Sequence, residues 1–188
     1  MRPALVATAA ATCPVALLGL LGAGFAATTP APDEVPDRVD GAASAHGVPS
    51  GGGCSVPDPS GTGGCVTPAL ADVMAQVEQR FGRLPVACWS ARGGDPYSDH
   101  PKGKACDYTV GRIGDYPGPA DVARGWTLAT WLRANAVLLR VSYVIWQGHI
   151  WSRAHDAEGW RTYTGGGHYS TAGPTNGHYD HVHVSTLV

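Results

Sequence analysis

Apolar and small residues first form a stretch from Ala4 to Ala27, densest at Leu17-Leu18-Gly19-Leu20-Leu21 and preceded by Arg2. Gly24-Phe25-Ala26 resembles the small-x-small pattern of a cleavage site, so residues 1–27 read as a secretory signal peptide rather than a retained anchor. From Thr28 to Gly53 large apolar residues almost vanish, and Pro30, Pro32 and Pro36 lead into Gly51-Gly52-Gly53. Such a segment cannot bury enough surface to offset its ordering entropy, so residues 28–53 are predicted to be a disordered tether.

Helical and strand periodicities begin after Cys54. Leu70, Val73, Met74, Val77 and Phe81 recur on one helical face, with Thr67-Pro68 as the start and Gly82 as the stop. A second helix is predicted over residues 119–138, with Val122, Trp126, Ala129, Leu132 and Ala136 facing inward. Strands are predicted over residues 85–89, 105–110, 141–146, 149–152 and 181–185, with Gln147-Gly148 as a hairpin turn. Residues 90–104 and 153–177 are Gly-rich and polar, the composition of loops around a site. The pattern is that of an α+β domain over residues 54–188, with helices packed against a small antiparallel sheet. About 135 residues suit one such domain.

Composition narrows the setting. Beyond Cys13, in the leader, stand Cys54, Cys65, Cys88 and Cys106. An even number in an exported chain reads as a disulfide framework, not as a cysteine zinc site, because no C-x-x-C pair is present. Four cysteines allow three pairings; closure of the short loops 54–65 and 88–106 is the simplest. The formal charge of −2 becomes −3 without Arg2 (12 basic minus 15 acidic), which argues against nucleic acid or an anionic membrane as partner. After signal cleavage no stable membrane span is expected.

Candidate chemistry lies in two places. The first is Ser98-Asp99-His100-Pro101-Lys102-Gly103-Lys104-Ala105-Cys106-Asp107, of the form S-x-H-x-x-G-x-A-x-D. The second is Asp180-His181-Val182-His183, where strand geometry puts His181 and His183 on one face. Two imidazoles and a carboxylate suit an open zinc site. Taken singly, each residue is equally at home as a hydrogen-bonded or solvated side chain. His168 and His178 flank the Gly-rich loop, where solvated histidines are the ordinary case. Trp126, Trp131, Trp146 and Trp151 read as core, and Trp160 and Tyr163 as candidates for a cleft wall. His149 and His155 have no evident partner, and His46 sits in the tether.

Residues 98–107 resemble the signature of the superfamily of zinc peptidases that includes D-alanyl-D-alanine carboxypeptidases, lysostaphin and hedgehog domains. Asp180 to His183 resembles its second motif, satisfying the histidine spacing of both the carboxypeptidase and the lysostaphin branch. The resemblance implies a hedgehog/DD-peptidase-like fold with Zn2+ held by His100, Asp107 and His183. It also implies Asp180 or His181 as the catalytic acid/base. Carboxypeptidases carry Glu where this chain has Asp180, and the shorter side chain leaves His181 as an equal candidate. Arg92 reads either as an exposed loop arginine or as the group that binds a substrate carboxylate, a role an arginine plays in the superfamily's carboxypeptidases. Ser98 reads as a hydrogen-bonded brace of the loop on the substrate side. The implied function is a secreted, cell-wall-associated zinc metallopeptidase that hydrolyses peptidoglycan stem peptides next to a D-amino acid. The alternative is a zinc-stabilised binding domain without turnover.

Overall fold

Thr67 accepts a hydrogen bond from the Leu70 N–H, and Pro68 occupies the first turn, so helix α1 (Pro68–Phe81) starts where its cap dictates. It buries Leu70, Val73 and Val77 and ends at Gly82, whose N–H returns to the Glu78 carbonyl. The computed structural model describes residues 53–187. The signal peptide, residues 28–52 of the tether, Cys13 and His46 lie outside the described residues.

Two strands of two residues each, β1 (Val56–Pro57) and β2 (Cys65–Val66), form a small antiparallel pair ahead of α1. The main sheet contains β3 (Val86–Ala87), β4 (Ala105–Thr109), β5 (Val141–Trp146), β6 (His149–Ser152), β7 (Arg161–Thr162) and β8 (His181–Thr186). Its order is β3-β4-β8-β5-β6-β7, with all neighbours antiparallel. The last strand in the chain therefore lies in the middle of the sheet. The α+β class with a small antiparallel sheet is what the apolar pattern called for.

Alternation along β8 divides the domain into two layers. Val182 and Val184 join Cys106 and Tyr108 of β4, Val144 and Trp146 of β5 and the helices in one apolar core. Asp107, Tyr143, Ile145, His181 and His183 line a cleft instead. Helix α2 (Pro119–Ala134) packs Leu128, Trp131 and Leu132 into the core. Gly125 lets it do so: a Cβ there would stand 2.2 Å from the Trp146 indole.

Some boundaries differ from the periodicity. Helix α2 stops at Ala134 rather than 138, because Asn135 caps it and Arg140 takes a left-handed conformation with φ of 54°. Val137, in the expected last turn, is 72% exposed. The strand expected over 85–89 shrinks to two residues. Residues 153–177 are less of a loop than expected, since they hold β7 and the one-turn helix α3 (Gly173–Asn176). Trp160 packs edge-on against Trp126 beside the core rather than in the cleft.

Both short-loop disulfides are present, Cys54–Cys65 and Cys88–Cys106. Among the described residues, no helix is long and apolar enough to cross a membrane.

Candidate metal centre

Antiparallel pairing of β4 with β8 sets Asp107 directly opposite His183, and Thr109 opposite His181. Cross-strand partners share a face, so two motifs 76 residues apart become one site through strand register alone. His183 Nδ1 lies 2.8 Å from Asp107 Oδ1.

His100 reaches the same carboxylate from the loop before β4, with its Nε2 3.2 Å from Asp107 Oδ2. A tight turn carries it: the N–H groups of Lys102 and Lys104 donate to the Asp99 carbonyl, and that of Gly103 donates to the His100 carbonyl. Gly103 takes φ of +66°, and a Cβ there would stand 2.6 Å from both Cys54 Sγ and the Cys65 carbonyl oxygen. The turn thus rests directly on the first disulfide. The second disulfide supports the site as well, because the Cys88 carbonyl accepts from His100 Nδ1 at 2.5 Å. That bond commits the Nδ1 proton and leaves Nε2 facing Asp107.

One donor atom from each of His100, Asp107 and His183 lies within 4.8 Å of the others. A tetrahedral zinc ion with bonds of about 2.1 Å places its donors roughly 3.4 Å apart. The His–Asp separations of 2.8 and 3.2 Å lie a few tenths of an ångström below that spacing, and the three donors all lie within 4.8 Å of one another, so the residues fit the group the resemblance implies.

The three groups are also coupled electrostatically. Burial favours a neutral Asp107, yet hydrogen bonds and charge from His100 and His183 outweigh it and hold the carboxyl well below its usual range. Burial favours the neutral form of His183 and pushes its pKa down. His100 is also buried, but Asp107 and the Cys88 carbonyl overcome this and raise its pKa.

Asp180 and His181 stand beside this group in different ways. Asp180 is fully buried and does not line the cleft. Its Oδ2 accepts from the Gly114 N–H at 2.7 Å and the Thr175 hydroxyl at 2.6 Å. Its Oδ1 lies 2.6 Å from His181 Nδ1. His181 lines the cleft, with Nε2 3.6 Å from Asp107 Oδ1.

Arg92, 47% exposed at the cleft mouth, holds Nη2 3.4 Å from Asp107 Oδ2. Ser98 lines the cleft and accepts from the His100 N–H at 3.3 Å, bracing the ligand loop. Tyr163 is part of the cleft wall, as expected.

His178 departs from the ordinary case of a solvated loop histidine. It is drawn into the cleft with φ of 55°, its ring centroid 4.7 Å from that of His181 and 5.5 Å from that of His183. Burial, and then the nearby charges of His183 and His181, push its pKa down to about 2, so it is a neutral wall. His168 stacks on Tyr97 at 3.7 Å between ring centroids. His149 and His155 have partners in the Gln147 carbonyl and Glu158.

The cleft, of about 170 Å³, also has walls that spacing along the chain does not reveal. Tyr169 donates to Asp95 at 2.7 Å, which, with the Tyr97–His168 stack, clasps the 90–104 loop to the 164–170 loop across the rim. Asp99, Tyr143 and Ser185 form a polar group next to His183.

An α+β domain with a histidine/aspartate/histidine cluster in an open cleft is thus the class that fold and site define. The chain belongs to the family described as VldE, C-terminal domain, whose match spans residues 62–178 and so includes His100 and Asp107. No curated protein and no solved structure matches it.

Proposed function

We propose that the protein is a secreted zinc metallopeptidase that hydrolyses peptide bonds of cell-wall peptidoglycan next to a D-amino acid. One observation carries the reading: three donors converge from a loop and two strands, with an acid/base histidine beside them in the same cleft. A purely structural site has no use for that spare group. The peptidoglycan substrate rests on the resemblance of residues 98–107 and 180–183 to the zinc-peptidase signatures. Secretion rests on the apolar leader, and the two disulfides fit an oxidising compartment.

His100, Asp107 and His183 would hold the ion, which supplies Lewis acidity that activates water toward a carbonyl. His181 Nε2 faces the cleft and takes the proton from the attacking water, then returns it to the leaving amine. Asp180 is the partner behind it: the Asp180–Nδ1 hydrogen bond fixes the His181 tautomer and steadies the imidazolium while the proton is held. Between the two acid/base candidates this geometry favours His181, because the Asp180 oxygens are already engaged by Gly114, Thr175 and His181. Arg92 at the mouth offers a guanidinium to a substrate carboxylate.

The test is incubation of purified peptidoglycan with wild type and with His183→Ala, with and without chelator, followed by mass analysis of the soluble products. Peptide fragments released only by the zinc-loaded wild type support hydrolysis. Zinc bound at unit stoichiometry with no fragments released would make the domain a binding module instead.

A further inference from the structure

The residue between Ser98 and His100 in the first motif has no role in the chemistry described so far. Asp99 is nevertheless largely buried, and its Oδ2 accepts two hydrogen bonds, from the Ser185 hydroxyl at 2.9 Å and the Tyr143 hydroxyl at 3.1 Å. Lys102 and Lys104 approach its other oxygen at 3.4 and 3.9 Å. Both hydroxyl partners touch His183. Ser185 Oγ lies 3.4 Å from His183 Nε2, and the Tyr143 ring stacks on the imidazole with centroids 5.4 Å apart and planes 19° apart.

Donor counting fixes what this arrangement does. A serine hydroxyl has one proton, and Ser185 directs it to the Asp99 carboxylate. Its remaining lone pairs can only accept, and His183 Nε2, 3.4 Å away, donates to them in the tautomer that frees Nδ1. That choice leaves the Nδ1 lone pair pointing at Asp107 Oδ1, 2.8 Å away. In that tautomer both atoms can ligate one cation, whereas the other tautomer would donate Nδ1–H to Asp107 and block ligation. Tyr143, tied to the same carboxylate, meanwhile limits rotation of the ring about its χ2 axis.

We infer that Asp99 is a positioning residue that sets the tautomer and ring plane of the metal ligand His183, acting through the Ser185 hydroxyl and the Tyr143 ring. This rests on the metal-centre reading above and adds to it a link between the two motifs: the loop that carries one imidazole ligand also orients the other.

Competitive zinc titration against a chelator tests it, using wild type, His183→Ala, Asp99→Ala, Ser185→Ala and the Asp99→Ala/Ser185→Ala double variant. Partners of metal-bound histidines are worth roughly 10–100-fold in affinity, and that loss is expected of each single variant. The double variant should bind no more weakly than the poorer single one, because both act through one Nε2 hydrogen bond. In spectra of the zinc-loaded protein, the His183 Nε2–H should exchange slowly in wild type and rapidly in either variant. Ser185→Ala removes a single oxygen and keeps the packing, so it carries the test if Asp99→Ala does not fold. Single variants within twofold of wild type, or losses that multiply in the double variant, overturn the assignment while leaving the metal centre intact. A wild type without zinc, or zinc retained by His183→Ala, overturns the metal centre and this assignment together.

Discussion

Replacing Gly103 by alanine perturbs the ligand loop at its support without touching a ligand. The backbone there has φ of +66°, a left-handed conformation that costs an L-residue about 1 kcal/mol. The added methyl would meet Cys54 Sγ and the Cys65 carbonyl oxygen at 2.6 Å and Val66 Cα at 2.9 Å. None of these is a flexible side-chain tip that can swing away, so overpacking adds roughly 1–3 kcal/mol. The total of about 2–4 kcal/mol lowers the melting temperature on the order of 10 °C for a domain of this size. Relief requires the turn to lift off the disulfide, which stretches the bond from the Thr67 N–H to the Gly103 carbonyl and displaces His100. Gly159→Ala is the control, having φ of +65° and nothing within 4 Å of the added carbon. Thermal melts and zinc titrations of both variants separate strain from collision. Gly103→Ala should melt well below Gly159→Ala and bind zinc at least tenfold more weakly. Equal melting points, or unchanged zinc affinity in Gly103→Ala, would refute the claim that this glycine seats the ligand loop on the disulfide.

Three further outcomes are expected. His181→Ala should keep its zinc yet lose about 10²–10⁴-fold in kcat on peptidoglycan fragments, with Asp180→Asn between it and wild type; loss of zinc in His181→Ala would contradict the assignment. Removing Cys88–Cys106 by a paired Cys→Ser change should cost roughly 3 kcal/mol in chemical denaturation and weaken zinc binding, because the Cys88 carbonyl orients His100. Asp58 concerns acid stability: burial opposes its charge, but hydrogen bonds from Thr62, Trp89 and Ser60 prevail and lower its pKa. A depressed native pKa gives stability that is complete above the unfolded-state value near 4 and is lost as pH falls through the native value. Urea midpoints of wild type and Asp58→Asn should therefore differ at pH 7 and converge below about pH 4, and a constant gap across that range would contradict the account.

What could be read in advance follows the range of the forces involved. Helix α1 was legible because its cap, first-turn proline, apolar period and terminal glycine all act within a few residues of one another. The end of α2 was not, since apolar Val137 and Leu138 continue the period while Asn135 caps the helix before them. β1 and β2 are two residues each, with the disulfide running from Cys54, ahead of β1, to Cys65 of β2, which leaves no alternation to detect. The grouping of His100, Asp107 and His183 was legible through the resemblance of the two motifs to the zinc-peptidase signatures, whereas spacing alone left each residue equally at home as a hydrogen-bonded or solvated side chain. Tyr143 and Ser185 meet through the β8–β5 pairing, which is irregular between Val141 and Tyr143, and Asp99 reaches them from the loop before β4, so local spacing holds no trace of the group. The burial of His178 likewise depends on a left-handed backbone that its neighbours in sequence do not announce.

Anomalous X-ray scattering at the zinc edge from crystals of the zinc-loaded protein tests the metal centre most directly. The account predicts one strong peak per chain, about 2.0–2.2 Å from His100 Nε2, an Asp107 oxygen and His183 Nδ1. A peak at any other set of side chains, or none at full zinc saturation, would contradict it.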